Sequence, residues 1–399
     1  MPGPFSDVTV VDLTTMISGP LCTMMLADQG ADVIKVESPR GDFARHVATR
    51  RGDFSASFVN NNRNKRSVCL DLKKPGAVAA LQSIVRDADV FVQNFRPGVA
   101  ERMGIGEAAI RAMRPDIIYV SICGFGDSGP YAQKPVFDPL IQAVSGLTSV
   151  QGGSDEQRPR LVRTIVPDKL TAIQTSQAIS AALYARARSG EGQSIRISML
   201  DTLVFFLWSS DMGGHTFVGD ELDAETAQSY IDLIYETTDG YISVAVVADK
   251  DWRGLASAVE RPDFLEDERF ATAELREINK DARTRLTQEA LLGFASDEII
   301  DRLEQQDVPC APVLTRREMI RHPQIEANGA IMHSEHPQAG PLRQARQPAQ
   351  FSGTVVEHRS GAPLLGQHTE AVLSQAGLSS DDIQTLLQSG AAITPGETA

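Results

Sequence analysis

The stretch VTVVDLTTMISGPLCTMMLADQGADVIKVE, Val8 to Glu37, decides how the rest of the chain is read. VTVVDL is a short β-branched run and SGP breaks it. LCTMMLADQG reads as a helix ending at Gly30, and ADVIKVE as a second buried strand ending at Glu37. That is a β-turn-α-β unit. Three further strands follow it, with helices between: SVCLDL after Arg66, DVFVQNF to Phe95 and IIYVSICGF to Phe125. KPGAVAALQSIVRDA and GIGEAAIRAMRPD supply the helices. A parallel sheet with helices on both faces, an α/β fold, is the economical architecture.

Glu37 stands where a ribose-binding acid would end the second strand of a dinucleotide fold. The glycine fingerprint is missing, because TTMISGPLC holds one glycine where GxGxxG needs three. The pyrophosphate would be kept from that backbone, so NAD binding is not expected.

At 399 residues the chain exceeds one ordinary core, and two domains are expected. A net charge of −14 argues against nucleic acid as a partner. No apolar run reaches the length of a membrane span, and the N-terminal residues lack the pattern of a signal peptide. The four cysteines, Cys22, Cys69, Cys123 and Cys310, fit no metal spacing. Three lie in apolar or strand-like runs as buried thiols would, and Cys22 lies near a turn. Together these features predict a cytoplasmic protein without membrane or metal. His368 is expected to be structural, at a helix start.

Beyond about residue 190 the pattern loosens. After the helix that follows Asp168, SIRISML reads as a strand. YETTDGYISVAVVAD reads as a hairpin around Asp239 and Gly240, with amphipathic helices after it. A smaller α+β domain over 228–320 is expected between a first segment, 1–212, and a returning segment, 325–399. EAVLSQAGL and DDIQTLLQSG close the chain as helices.

Three places invite chemistry. The first is basic: NNNRNKRSVCLDLKKPG (Asn60–Gly76) and QNFRPGVAERMG (Gln93–Gly104) gather Arg63, Lys65, Arg66, Lys73, Lys74, Arg96 and Arg102 in an acidic chain. Such a cluster suits a phosphorylated nucleotide, though solvated loops carry such charges too. The second is Asp168 in LVRTIVPDKLTAIQTS. An aspartate there reads as a helix N-cap, which stabilises by about 1 kcal/mol. It suits a nucleophile equally, kept ionised by the helix's positive end, with small residues after it to admit a ligand. The third is Asp138 in KPVFDPLIQAVSGL, a turn aspartate or a second carboxylate able to move a proton.

In order along the chain, VVDLTTMISGPLCTMMLADQGADVIKVESPRGD, NRNKRSVCLDLK, VFVQNFRPGVAERMG, YVSICGFGDSGPY, RSGEGQSIRISMLD, VPCAPV and PLLGQHTEAVL resemble the class III coenzyme A transferase family, of the formyl-CoA transferase and carnitine CoA-transferase type. The resemblance implies covalent catalysis by Asp168, with Asp138 in support, and acyl-CoA as a substrate rather than any tightly bound cofactor. It implies CoA contacts at Ile17, Ser18, Arg40, Leu70, Asp71, Leu72, Lys73, Asn94, Phe95, Arg96, Arg102, Phe137 and Asp138. It implies a Rossmann-like large domain built from both chain ends, and a homodimer of interlocked chains. An acyl-CoA racemase of the same fold and a non-catalytic acyl-CoA binder are the alternatives. The racemases need a histidine where Phe137 stands, and no histidine lies between His46 and His215. The glycine run of formyl-CoA transferases is absent, Ser38 replaces an arginine with Arg40 nearby, and Pro135 replaces a lysine. These departures point away from formyl-CoA and oxalate.

Overall fold

The computed structural model describes residues 2–227 and 232–396. The expected start of the smaller domain at residue 228 lies outside them, as does the very end of the returning segment. The chain forms two compact units, Met1–Gln228 with Ala330–Ala399, and Ser229–Gly329.

The first unit is built on a seven-stranded sheet. Its parallel strands are β1 (Thr9–Asp12), β2 (Asp32–Glu37), β5 (Lys65–Leu70), β6 (Val90–Gln93), β7 (Ile118–Cys123) and β8 (Ser194–Ser198). A two-residue hairpin, β3 (Arg50–Arg51) with β4 (Phe54–Ser55), lies between β2 and β5 in sequence. The spatial order is β14-β5-β2-β1-β6-β7-β8, where β14 (Ala392–Ile393) joins antiparallel beside β5. Both chain ends thus enter one sheet. Leaving out the edge strand, the parallel order runs third, second, first, fourth, fifth, sixth, which is the Rossmann order.

The strands alternate because both faces are covered. Val10, Val33, Val90 and Val92 point into one layer with Leu26, Ala172 and Ile179, from the helices Ser18–Asp28 and Val166–Ser189. Val11, Ile34, Val68 and Phe91 point into the other, with Leu81, Ile84, Leu373 and Leu386. Both layers are apolar, so the strands read as near-continuous β-branched runs.

The second unit holds a three-stranded antiparallel sheet of β9 (Ile234–Glu236), β10 (Tyr241–Val244) and β11 (Cys310–Pro312). Its core gathers Trp252, Leu255, Phe264, Phe270 and Leu303. The hairpin turns at Asp239 and Gly240, where Asp239 takes the Ser296 N–H at 2.8 Å. Back in the first unit, Ile331–His336 and Gly340–Ala345 pair as a second hairpin, β12 with β13. No helix among the described residues is long and apolar enough to cross a membrane. Cys22 is fully buried inside its helix rather than at a turn, and burial pushes its thiol up.

Candidate active site

In this strand order the crossovers diverge between β1 and β6. A crevice is left there, outside the carboxyl ends of both strands. The loop leaving β1 is tied down at almost every residue. The Leu13 N–H donates to Val92 O at 2.9 Å. Thr14 donates its N–H to Asp12 Oδ1 at 2.9 Å, and its carbonyl accepts from Lys35 Nζ at 2.8 Å. Thr15 exchanges two bonds with the Asn94 amide across the crevice, at 3.0 and 2.9 Å. The Met16 N–H donates to Asp42 Oδ1 at 2.9 Å, and Met16 sits in the left-handed region at φ 71. Ser18 then opens the Ser18–Asp28 helix.

The loop rests on buried charge. Lys35 pairs with Asp42 at 3.0 Å and Lys65 with Asp12 at 3.0 Å, all four fully buried. Arg45 grips Glu37 with two bonds at 2.8 and 2.7 Å, and Ser67 Oγ donates to the same carboxylate at 2.9 Å. Glu37 is therefore committed inside the protein and not presented to a ribose.

Asp168 reaches this loop from the other side of the crevice. It is not the N-cap of its helix. The cap position is Ile165, Pro167 is the second helical residue and Asp168 the third. The hydroxyl and backbone N–H of Ser18 lie near its carboxylate and favour its ionised form. Burial first, and then the Asp138 charge, push its pKa up to about 6, against that pull of Ser18. The Asp168 N–H donates to Asp138 Oδ2 at 3.2 Å. Asp138 opens the Asp138–Val144 helix and is buried, and burial raises its own carboxyl.

Gln142 completes the group and carried no signal in the sequence. Its amide nitrogen donates to Asp138 Oδ1 at 2.7 Å, and its oxygen accepts from the Val162 N–H at 2.9 Å. Spacing of four on a helix was the one available clue, and it fits any helical pair.

The basic stretch divides. Arg63 is buried against Asp28 at 2.6 Å, Lys65 against Asp12, and Arg66 is paired with Asp32. These three hold the fold together and are not available to an anion. Lys74 donates to the Ser389 carbonyl at 2.7 Å. Lys73, Arg96 and Arg102 are exposed at the carboxyl ends of β5 and β6, without an ion pair among the described residues. Leu70 is 1% exposed, packed in the core, so its side chain is closed to any ligand. Asp71, Leu72 and Phe95 are half-buried, Ile17 and Ser18 are buried, and Phe137 is open at 68%. Arg40 lines a cavity of about 830 Å³ with Thr15, Phe43, His46, Arg50 and Leu365. His368 accepts the Ser67 N–H on Nδ1 at 3.1 Å, a structural contact.

The fold and this cluster define an α/β protein of Rossmann strand order whose crevice is lined by carboxylates instead of a glycine loop. Residues 5–369 match the family described as CoA-transferase family III. The chain belongs to that family: it is a CoA-transferase, an enzyme that acts on acyl-CoA and moves coenzyme A between acids. It is 33% identical to a succinate–glutarate CoA-transferase of Agrobacterium fabrum, over 93% of this chain and 95% of that protein. It is 34% identical to a succinyl-CoA:mesaconate CoA-transferase of Haloarcula hispanica, over 94% and 97%. A crystal structure of a CAIB/BAIF family protein from Brucella suis superposes with a TM-score of 0.85 at 29% identity, covering 94% of this chain and 100% of that one.

Proposed function

We propose that this enzyme transfers CoA between dicarboxylic acids of four or five carbons, through covalent intermediates on Asp168. One observation carries the mechanism: a half-buried carboxylate in the first turn of a helix, anchored by its own N–H to Asp138 Oδ2 at 3.2 Å, lies near Ser18 at the start of a second helix. The names of the two relatives above support the substrate class.

In this mechanism an Asp168 oxygen attacks the thioester carbonyl of the donor. The C–S bond breaks, and an acyl-aspartyl anhydride and CoA thiolate result. The thiolate attacks the aspartyl carbonyl, releasing the donor acid and leaving aspartyl-CoA thioester. The acceptor carboxylate attacks that thioester, expelling thiolate and forming a second anhydride. Thiolate attack on the acceptor's acyl carbon then releases the new acyl-CoA and restores Asp168. Ser18 is near enough to donate to the Asp168 oxygen that gains charge in the two steps where the aspartyl carbonyl is attacked. Arg40, Lys73, Arg96 and Arg102 supply the cations for the phosphates of CoA, and Asn94 holds the loop over which its thiol end passes.

Transfer is favoured over racemisation by Phe137. A racemase needs two proton carriers, and the side chain next to Asp138 cannot carry a proton. The solution form is a homodimer. Wild-type enzyme given succinyl-CoA should yield an adduct that hydroxylamine removes and that maps to the Asp168 peptide, and glutarate should then take up CoA by mass spectrometry. Exchange of α-protons with solvent deuterium, with no adduct and no CoA moved to any acid, would overturn the reading.

A further inference from the structure

We infer that Asp42, with Lys35 as its counter-ion, is a positioning residue for the reaction: it locks Met16 in the left-handed conformation that aims the Ser18 N–H and hydroxyl at Asp168. The inference rests on Asp168 as nucleophile.

Met16 is the hinge of the argument. A side chain beyond Cβ disfavours positive φ, and such residues persist only where the surroundings over-determine them. Asp42 supplies that determination. Its Oδ1 accepts from the Met16 N–H at 2.9 Å and from the Ala44 N–H at 2.9 Å. Its Oδ2 faces Lys35 Nζ at 3.0 Å, and the same ammonium donates to the Thr14 carbonyl at 2.8 Å. One buried ion pair therefore grips the loop on both sides of Thr15. Asn94 grips Thr15 itself from β6. Two residues beyond Met16 the chain enters the helix whose first residue, Ser18, lies near the Asp168 carboxylate.

A neutral hydrogen-bonding pair would fix the loop with less cost in desolvation. The charged pair does something further, because its partners cannot relax toward water. Asp12, Glu37 and Arg45 surround it, also buried. Rotation of Met16 out of its left-handed well would leave Asp42 Oδ1 short of a donor in the interior. The loop is thus held in the one arrangement that points the Ser18 donors into the crevice.

Three variants test this, each assayed for the single-turnover rate of adduct formation, its pH profile, and KM for acyl-CoA. Asp42→Asn keeps an acceptor but unpairs Lys35. It should slow adduct formation at least tenfold, leave KM within about twofold, and move the acid limb of the profile upward, because misaimed Ser18 donors no longer favour the ionised Asp168. The charges facing Asp168 and the pair are Asp138, Asp12, Glu37, Arg45, Lys65 and Lys35; Lys35 loses its partner, and Lys65, itself paired with Asp12, loses a more distant neighbour. Should Asp42→Asn fail to fold, Met16→Val leaves every ion pair intact and adds β-branched strain at φ 71, and should slow the step several-fold with the same upward shift. Met16→Gly, free of that strain, should stay within threefold of wild type. A purely structural role would lower the amount of active enzyme without moving the acid limb. Folded Asp42→Asn or Met16→Val with wild-type rate and profile would overturn the inference. Absence of any adduct in the wild type would instead overturn Asp168 as nucleophile.

Discussion

Asp168 shows how one carboxylate can be costly to the fold and useful to the reaction. Its pKa is raised from 3.8 to about 6 by burial and by Asp138. A carboxyl whose folded value lies above its unfolded one destabilises the protein only when ionised. The penalty is absent below about pH 4, grows between pH 4 and 6, and is complete above. Two units correspond to about 3 kcal/mol. Asp168→Asn should therefore abolish the adduct yet raise unfolding free energy by up to about 3 kcal/mol at pH 8, with the gain shrinking toward pH 4. Urea unfolding of both proteins at pH 8 and pH 5 checks this, and a variant less stable than wild type at pH 8 would contradict it. The reaction has the opposite sense, since the nucleophile must be ionised. The wild-type transfer rate should fall as pH drops through about 6, which an initial-rate profile at saturating acyl-CoA reads directly. The candidate carboxylate was legible in the sequence by its place in the family pattern. Its setting was not, because Ser18 lies 150 residues earlier in the numbering. The basic residues teach the same lesson. Charge is visible in a sequence, but the partners that bury Lys65 and Arg63 sit 53 and 35 positions away.

Elements were legible where their pattern was apolar and periodic. The parallel strands β1, β2, β5, β6 and β7 and the Asp239–Gly240 hairpin fall where periodicity placed them, the long helix begins two residues before Asp168 rather than after it, and the short β3–β4 hairpin was not foreseen. Hairpin Ile331–Ala345 did not announce itself, because its strand IMHSEH is polar on most positions. The cap of the Asp168 helix misled for a physical reason. Ile165 has no side-chain acceptor, so the first turn is satisfied by Asp138 from another helix, 30 positions away. Gln142 makes that arrangement rigid by linking Asp138 to Val162. Gln142→Leu should leave one Asp138 oxygen and the Val162 N–H without their partners. Each buried orphan costs about 1–3 kcal/mol, so a loss of roughly 2–6 kcal/mol is expected. Adduct formation should slow as well, because the first turn carrying Asp168 loses its anchor. Thermal unfolding beside single-turnover mass spectrometry measures both, and an unchanged melting temperature would remove Gln142 from the account.

For the whole molecule, the unresolved business is on the surface. The helices Val166–Ser189 and Met199–Trp208 pack together in the first unit, yet Ile173 is 54% exposed, Tyr184 65%, Phe205 74% and Trp208 51%. Single exposed apolar residues are ordinary, but four large ones on two adjoining helices are a surface that the proposed homodimer would cover. Fully burying a side chain of this size is worth about 1.5–3 kcal/mol, and these are half to three-quarters exposed, so the four would contribute roughly 4–8 kcal/mol per chain. Both chains of a dimer would contribute, against an association cost of about 4–15 kcal/mol. Sedimentation should give a dimer at micromolar protein, and Phe205→Asp, which sets a charge on the most exposed of the four, should shift the population to monomer. If the homodimer is interlocked, as the family resemblance implies, a kinetic expectation follows. Chains threaded through one another cannot part without unfolding, so tagged and untagged dimers mixed under native conditions should form no mixed dimer over a day. After joint unfolding and refolding they should form it freely. Rapid exchange without unfolding would leave a dimer of ordinary, side-by-side kind, and a stable active monomer would leave none.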